Sequence, residues 1–326
     1  MTINAMTTRR HILKGLAATG AALSLNRVGG ANAAAAGGKK FWSMIGDYPH
    51  THALYSGAVK SPSVALDFAK VPTPASAFAR SVAMEFDVTE LSLVTFLQAK
   101  TYGRKLVLLP AVNLSRFQHP FLMYDAKRGV MKPKDLEGAR VGVRLYTATT
   151  PSWLRGILAD DYGVDVSKIK WFAWQKPNVP EWRDPPNVTM IPQQDLKEML
   201  FRGEVDAIQT DPIDDPRIKT VIPDPEGAAK AWQAKHGGAI QINHMVAVKE
   251  DLTRSDPQAV REVWRMMAES KRVANETPAN AAFTPFGLEA NRHNIEVVID
   301  YAFRTGMIPR KFSVDELFND VTAGLV

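Results

Sequence analysis

Short apolar runs alternate with stretches of helical spacing along most of the chain. Lys105-Leu106-Val107-Leu108-Leu109 reads as a buried strand closed by Pro110, and Phe121-Leu122-Met123-Tyr124 is a second apolar run. Lys132 to Gly138 forms a turn into a third strand, Arg140-Val141-Gly142-Val143. From Ser152 to Tyr162 the spacing of Trp153, Leu154, Ile157 and Leu158 predicts a helix stopped by Gly163. Ile169 to Trp174 is strand-like, and Gln175 to Asn187 is a loop bearing Pro and Trp. A helix over Asp195 to Phe201 ends at Gly203, and the strand Val205 to Ile208 runs into Thr210-Asp211-Pro212. Beyond the Pro-rich stretch 212–225, Ile240 to Val248 reads as a strand, followed by helices over Pro257 to Asn275 and Leu288 to Gly306. Strands interleaved with helices predict an α/β fold with largely parallel sheets.

The N-terminus has a different pattern. Thr8-Arg9-Arg10-His11-Ile12-Leu13-Lys14 precedes a small apolar run, Gly15 to Leu25, and then Ala31-Asn32-Ala33. A charged segment, an apolar stretch of roughly 7–15 residues and an A-x-A site describe a removable export peptide. The paired arginines point to the twin-arginine machinery. Residues 1–36 are therefore expected to be a twin-arginine signal peptide, too short in its apolar part to span a bilayer. The mature chain is expected to be periplasmic.

Composition narrows the classes. The chain has 326 residues, 45% hydrophobic and 23% charged, with a formal charge of +6. The leader carries Arg9, Arg10, Lys14 and Arg27 and no acid, which leaves +2 for the remainder. That is too little to argue for nucleic acid, and no basic run is interleaved with aromatics. Cysteine is absent, which excludes disulfides, thiolate metal sites, a cysteine nucleophile and a lipid-anchored N-terminal cysteine. No later segment reads as a membrane span.

The order of motifs resembles a known family. Glu85-Phe86-Asp87-Val88-Thr89-Glu90-Leu91-Ser92-Leu93 and Leu114-Ser115-Arg116-Phe117-Gln118-His119 come first. Then follow Asp135-Leu136-Glu137-Gly138-Ala139-Arg140-Val141-Gly142-Val143, Trp153 to Leu158, Asp161-Tyr162-Gly163-Val164, Asn243-His244-Met245 and Phe286 to Arg292. Together they resemble the type II periplasmic solute-binding proteins, in the branch that contains 4,5-dihydroxyphthalate decarboxylase. The resemblance implies a two-lobed type II periplasmic-binding-protein-like α/β fold with a ligand cleft between the lobes. Residues 37–116 plus 224–326 would form lobe 1, and 117–223 lobe 2. Parallel α/β sheets bind ligands beyond the carboxyl ends of their strands, and clefts between domains favour ligands.

The candidate chemistry gathers at such ends. Arg144 to Trp153 is a strand-to-helix turn in which unpaired amides attract carboxylate or phosphate. Tyr146, Thr147, Thr149, Thr150 and Trp153 are its candidate ligand residues, although Thr150 also suits plain N-capping. Arg116 can grip a carboxylate, and His119 stands close by. The family pattern S-R-x-F-R-H-S is one residue shorter here, with Gln118 where the second arginine would be. His50, Thr51 and His52 follow Tyr48-Pro49, where the family tends to have Asp and Arg; hydrogen bonding to a ligand, a metal shared with His119 or His244, and a structural role all suit them. Glu90 and Ser92 are read as opening a helix. Asp211 ends a strand, and His244 lies in one.

No G-x-S-x-G, P-loop, H-E-x-x-H or G-x-G-x-x-G is present. The expectation is a solute-binding protein that captures a small aromatic or carboxylate-bearing anion for an inner-membrane transporter permease, with an ABC transporter as one type that would fit. It has no cofactor. The alternative is a decarboxylase that releases carbon dioxide from an aromatic acid, with His50, His52, His119 or His244 as acid and a divalent metal to hold the diol.

Overall fold

A computed structural model of the chain describes residues 38–326. The expected signal peptide, residues 1–36, lies outside the described residues. Eleven strands are described: β1 (Lys39–Met44), β2 (Val64–Phe68), β3 (Val88–Ser92), β4 (Leu106–Ser115), β5 (Leu122–Asp125), β6 (Arg140–Val143), β7 (Lys170–Ala173), β8 (Val188–Met190), β9 (Ala207–Gln209), β10 (Ile218–Thr220) and β11 (Ile242–Lys249). One sheet has the order β2-β1-β3-β11-β4 and the other β10-β5-β9-β6-β7-β8. Residues 116–121 and 221–241 connect the two sheets.

Both sheets are mixed, whereas the alternation of elements predicts largely parallel pairing. β1, β2 and β3 are parallel, but β11 runs antiparallel between β3 and β4. In the second sheet β6 to β9 are parallel, and β5 and β10 add antiparallel pairs. The antiparallel partners are the strands next to the crossings: β4 and β5 flank residues 116–121, and β10 and β11 flank residues 221–241.

Pro110 does not close β4. The strand continues to Ser115, and its register with β11 shifts between the Met245 and Ala247 pairings. The missing proline N–H falls at this irregularity, and the Pro110 carbonyl accepts from Gly287 N at 2.8 Å. Strand β10 lies inside the Pro-rich stretch, where no strand is anticipated.

The helices are α1 (His52–Tyr55), α2 (Phe78–Val82), α3 (Leu93–Thr101), α4 (Thr149–Tyr162), α5 (Leu196–Arg202), α6 (Pro225–Lys235), α7 (Glu250–Ser255), α8 (Pro257–Ala274), α9 (Pro278–Ala281), α10 (Leu288–Arg304) and α11 (Asp320–Ala323). Gly163 and Gly203 end α4 and α5 in the left-handed region, φ 62° and 74°, as a Cβ-free residue allows. Asp195 caps α5 by accepting from Glu198 N at 3.0 Å.

Helix α4 is buried over its first ten residues, Thr149 to Leu158. Its spacing shows no solvent-facing stripe there because α3 and α10 flank it, and one continuous apolar core takes residues from both sheets. Among the described residues no helix is long and apolar enough to cross a membrane.

Gly156 is the point of closest approach between α4 and α10: a Cβ there would lie 2.4 Å from the Tyr301 ring. Gly156→Ala is expected to destabilise the fold by about 1–3 kcal/mol, as overpacking does. Urea unfolding that shows an unchanged midpoint would contradict this packing.

Candidate functional site

A cleft of about 530 Å³ opens where the carboxyl ends of strands from both sheets face one another. Ser92 ends β3, and Leu114 and Arg116 lie at the end of β4. Arg144, Trp174 and Thr210 follow β6, β7 and β9. Asn243 and His244 come from the crossing strand β11. This is the position at which open α/β sheets offer a crevice.

The N-terminus of α4 forms one wall. Its N-cap is Ala148, which supplies no side-chain acceptor, and Pro151 has no N–H. The amides of Thr149 and Thr150 are therefore the donors left open. Both hydroxyls are engaged elsewhere: Thr149 Oγ1 accepts from Val94 N at 3.3 Å and Thr150 Oγ1 from Asn243 Nδ2 at 3.3 Å. Alanine at an N-cap forgoes about 0.5–2 kcal/mol relative to Ser, Thr, Asp or Asn, and an anion in the cleft would supply the missing acceptor.

Two guanidinium groups face this end. Arg116 Nη2 lies 3.1 Å from Asp211 Oδ1 across the cleft, and its guanidinium stacks 3.9 Å from the Phe121 ring centroid. Arg144 donates to Gln175 Oε1 and has no ion pair among the described residues. Burial pushes its pKa below the ordinary arginine value, yet a guanidinium remains charged.

Beneath the cleft lies a fully buried carboxylate. Glu90 accepts from Gly46 N (2.8 Å), Tyr48 Oη (2.7 Å) and Asn113 Nδ2 (3.1 Å), and His244 Nδ1 lies 2.6 Å away. Burial alone would raise the Glu90 pKa; the bonds from His244, Tyr48 and Gly46 outweigh it, so the value falls below 4.5. Burial and the Glu90 charge push Tyr48 upward. His244 also meets Phe78 edge-on at 5.1 Å and lines the cleft with its remaining edge.

The structure gathers six of the residues named from sequence around the cleft: Ser92, Arg116, Thr149, Thr150, Asp211 and His244. The rest lie elsewhere, for identifiable reasons. Glu90 does not open a helix; it sits inside β3 with no exposed surface and holds His244 rather than lining the cleft. Ser92 is the residue that caps α3. His50 is buried in a second cavity, and His52 is exposed, 3.0 Å from Asp47. Thr51 is spent on its own turn, donating to Gly46 O at 2.6 Å and accepting from Tyr48 N. Thr147 is buried beside the turn, outside the cleft lining. Tyr146 packs under the buried Arg155, 4.0 Å from its guanidinium. Trp153 donates to Ile242 O at 3.0 Å and packs against Trp232 and Tyr301. Neither ring is placed to stack on a ligand. His119 has no exposed surface and no partner for either ring nitrogen. The four histidines considered as a shared metal set thus stand apart, and no metal-type cluster occurs among the described residues.

Trp174, also a candidate stacking ring by sequence, lines the cleft, and so do Arg144, Gln175, Asn178 and Asn243, which do not stand among the sequence candidates. Arg144 had a signal: it is the first residue past a strand end, in the very turn singled out.

The fold and this cleft define a type II periplasmic-binding-protein architecture. The chain is similar in structure to the periplasmic aliphatic sulphonate binding protein of Escherichia coli, with a TM-score of 0.56 and 12% identity over 86% of this chain and 97% of that one. It is also similar to the alkanesulfonate-binding protein of Xanthomonas axonopodis bound to MOPS, with a TM-score of 0.52 and 12% identity over 87% and 99%. In sequence it is similar to 4,5-dihydroxyphthalate decarboxylase of Comamonas testosteroni, 24% identical over 314 residues that cover 84% of this chain and 94% of the relative. The Pseudomonas putida protein of the same name is 26% identical over 204 residues, 58% and 79%. No family model matches. The chain thus has the type II periplasmic-binding-protein fold, and its sequence stands beside the 4,5-dihydroxyphthalate decarboxylase branch.

Two acid-sensitive limbs follow from the buried groups. Burial lowers His119 to about 4, and the unfolded chain takes up that proton near 6.5, so stability declines as pH falls from about 6.5 to 4. His119→Leu is expected to flatten this limb in denaturant titrations. Glu90 contributes stability that is complete above 4.5 and lost as pH falls through its lower folded value. Glu90→Gln is expected to cost about 3–5 kcal/mol at pH 7, as removal of one partner from a buried charge network does; a loss below 1 kcal/mol would deny the network its role.

Proposed function

We propose that this protein is a periplasmic solute-binding protein that captures a small aromatic, carboxylate-bearing anion and presents it to an inner-membrane transporter of the ABC type. Export by the twin-arginine route, with residues 1–36 as the signal, brings the folded chain to that compartment. The observation that carries the reading is the pairing of the unpaired Arg144 guanidinium with the uncapped N-terminus of α4 in one cleft. Open amides and a guanidinium suit a carboxylate, Phe78 and Trp174 offer apolar walls, and the volume matches a ring of that kind. Residues 37–116 with 224–326, and 117–223, would act as two lobes that close about the crossing segments, with tighter binding to the closed form as the driver.

One observation favours a second reading. His244 presents its remaining edge to the cleft while Glu90 holds Nδ1, and the two sequence relatives are decarboxylases by name. Decarboxylation breaks the bond to the carboxylate carbon and leaves its electron pair on the ring, which then takes a proton. In this reading His244 would be the group that gives it.

Calorimetry with phthalate, 4,5-dihydroxyphthalate and benzoate, coupled to a carbon dioxide assay, separates the readings. Saturable binding without turnover, weakened at least tenfold (about 1.4 kcal/mol) in Arg144→Gln, supports capture. Turnover that vanishes in His244→Ala replaces it with the enzyme. Absence of binding by all three compounds defeats both.

A further inference from the structure

A second cavity of about 420 Å³ lies on the far side of Leu114 and Arg116, the two residues it shares with the cleft. Its walls include the rings of Tyr48, Phe117 and Phe283, and its polar side chains include His50, Asn113 and Glu276. We propose that it is a separate binding site for a small, uncharged, ring-bearing molecule that donates hydrogen bonds, of the phenol or catechol class.

Hydrogen-bond accounting gives the chemistry. Glu276 is anchored by Lys271 Nζ at 2.6 Å and Thr284 Oγ1 at 3.1 Å, and its Oε1 faces His50 Nδ1 at 3.4 Å. Burial pushes the His50 pKa down, so at neutral pH the ring carries one proton, and the facing carboxylate draws it to Nδ1. Nε2 is then a bare acceptor, and it has no partner. Asn113 donates through Nδ2 to Glu90, which orients its amide and leaves Oδ1 as a second acceptor without a partner. Both side chains are at least nine-tenths buried. Unsatisfied buried acceptors cost free energy, and one occupant with two O–H groups satisfies both.

Charge excludes the ligand class of the cleft. A carboxylate would set its lone pairs against two acceptors and stand beside Glu276, and the guanidinium in the wall, Arg116, already has Asp211 as its counter-ion. An ammonium gains little, because Lys271 already offsets Glu276 and Asp211 already pairs with Arg116. The Tyr48 ring, stacked on His50 at 5.4 Å between centroids, and the Phe117–Phe283 edge-to-face pair at 5.4 Å favour a flat ring.

The test titrates the full mature protein with catechol, benzoate and benzylamine, and follows binding by calorimetry and by long-range imidazole NMR of His50. Saturable catechol binding that moves the His50 Nε2 resonance supports the site, provided it weakens at least tenfold in His50→Leu and stays unchanged in Arg144→Gln. Should His50→Leu fail to fold, the wild-type resonance shift with catechol but not with benzoate carries the same conclusion. Three results overturn it: catechol binding lost in Arg144→Gln but not in His50→Leu, benzoate or benzylamine competing at His50, or no catechol binding at millimolar concentration. Because benzoate reports on the cleft through Arg144, failure of the capture reading shows separately from failure here.

Discussion

A carboxylate with no exposed surface must be compensated completely or it cannot remain ionised in the interior, and Glu90 shows how completely the chain does so. Its four partners come from the loop after β1, from β4 and from β11. One charge therefore fixes the relative placement of three segments that meet beneath the cleft. Gly46 is needed for that fit: a Cβ there would meet the Tyr48 ring at 2.5 Å. The loop can bring both an amide and a phenol to one carboxylate only because this position has no side chain. Everything the cleft offers from the first sheet rests on that floor, including the orientation of His244.

The opposite wall is set by buried amides rather than by charge. Gln118 N donates to Gln241 Oε1 at 2.7 Å, Gln118 Nε2 to Asn243 Oδ1 at 2.8 Å, and Asn243 Nδ2 to Thr150 Oγ1. This chain of bonds ties the two crossing segments to each other and to the start of α4. The threonine hydroxyls there serve other elements than their own helix: Thr150 accepts from Asn243 of β11, and Thr149 from Val94 of α3. One turn further on, Arg155 is buried without a carboxylate, donating to Tyr146 O at 3.0 Å and Ser152 Oγ at 3.1 Å. Its charge lies behind the open helix end and adds to the positive potential there.

Local signals were legible where local physics decides. Strand Arg140–Val143 is where the sequence reading sets it, and the stops at Gly163 and Gly203 and the cap at Asp195 need only backbone conformation and one side-chain bond. Pairing direction was not legible, because β11 runs antiparallel although helix α6 precedes it, and a helix before a strand reads in sequence as a parallel crossover. Glu90 was misplaced because an acid before an apolar run looks like a helix start, whereas here it is neutralised by residues 44, 42, 23 and 154 positions away. Trp153 and Tyr146 looked like ligand rings because they flank the strand-to-helix turn, yet both are committed to inward contacts. The position of Arg144 was readable; its lack of an ion-pair partner was not, since absence of a carboxylate is a property of the assembled cleft.

The same architecture serves capture or chemistry according to one difference, the availability of a proton. Trapping an anion needs donors that keep their protons: amides and guanidinium groups, which the wall at Arg144 and α4 provides. Releasing carbon dioxide needs in addition a group that gives a proton up and regains it. Of the described histidines, only His244 lines the cleft, and its Nδ1 lies 2.6 Å from a carboxylate that is itself ionised by its neighbours. Glu90 thereby fixes the orientation of the imidazole at the cleft. His50 and His119, pushed toward neutrality by burial, are out of reach of the cleft. Holding a carboxylate would thus draw on Arg144 and the start of α4, and expelling one would draw in addition on His244.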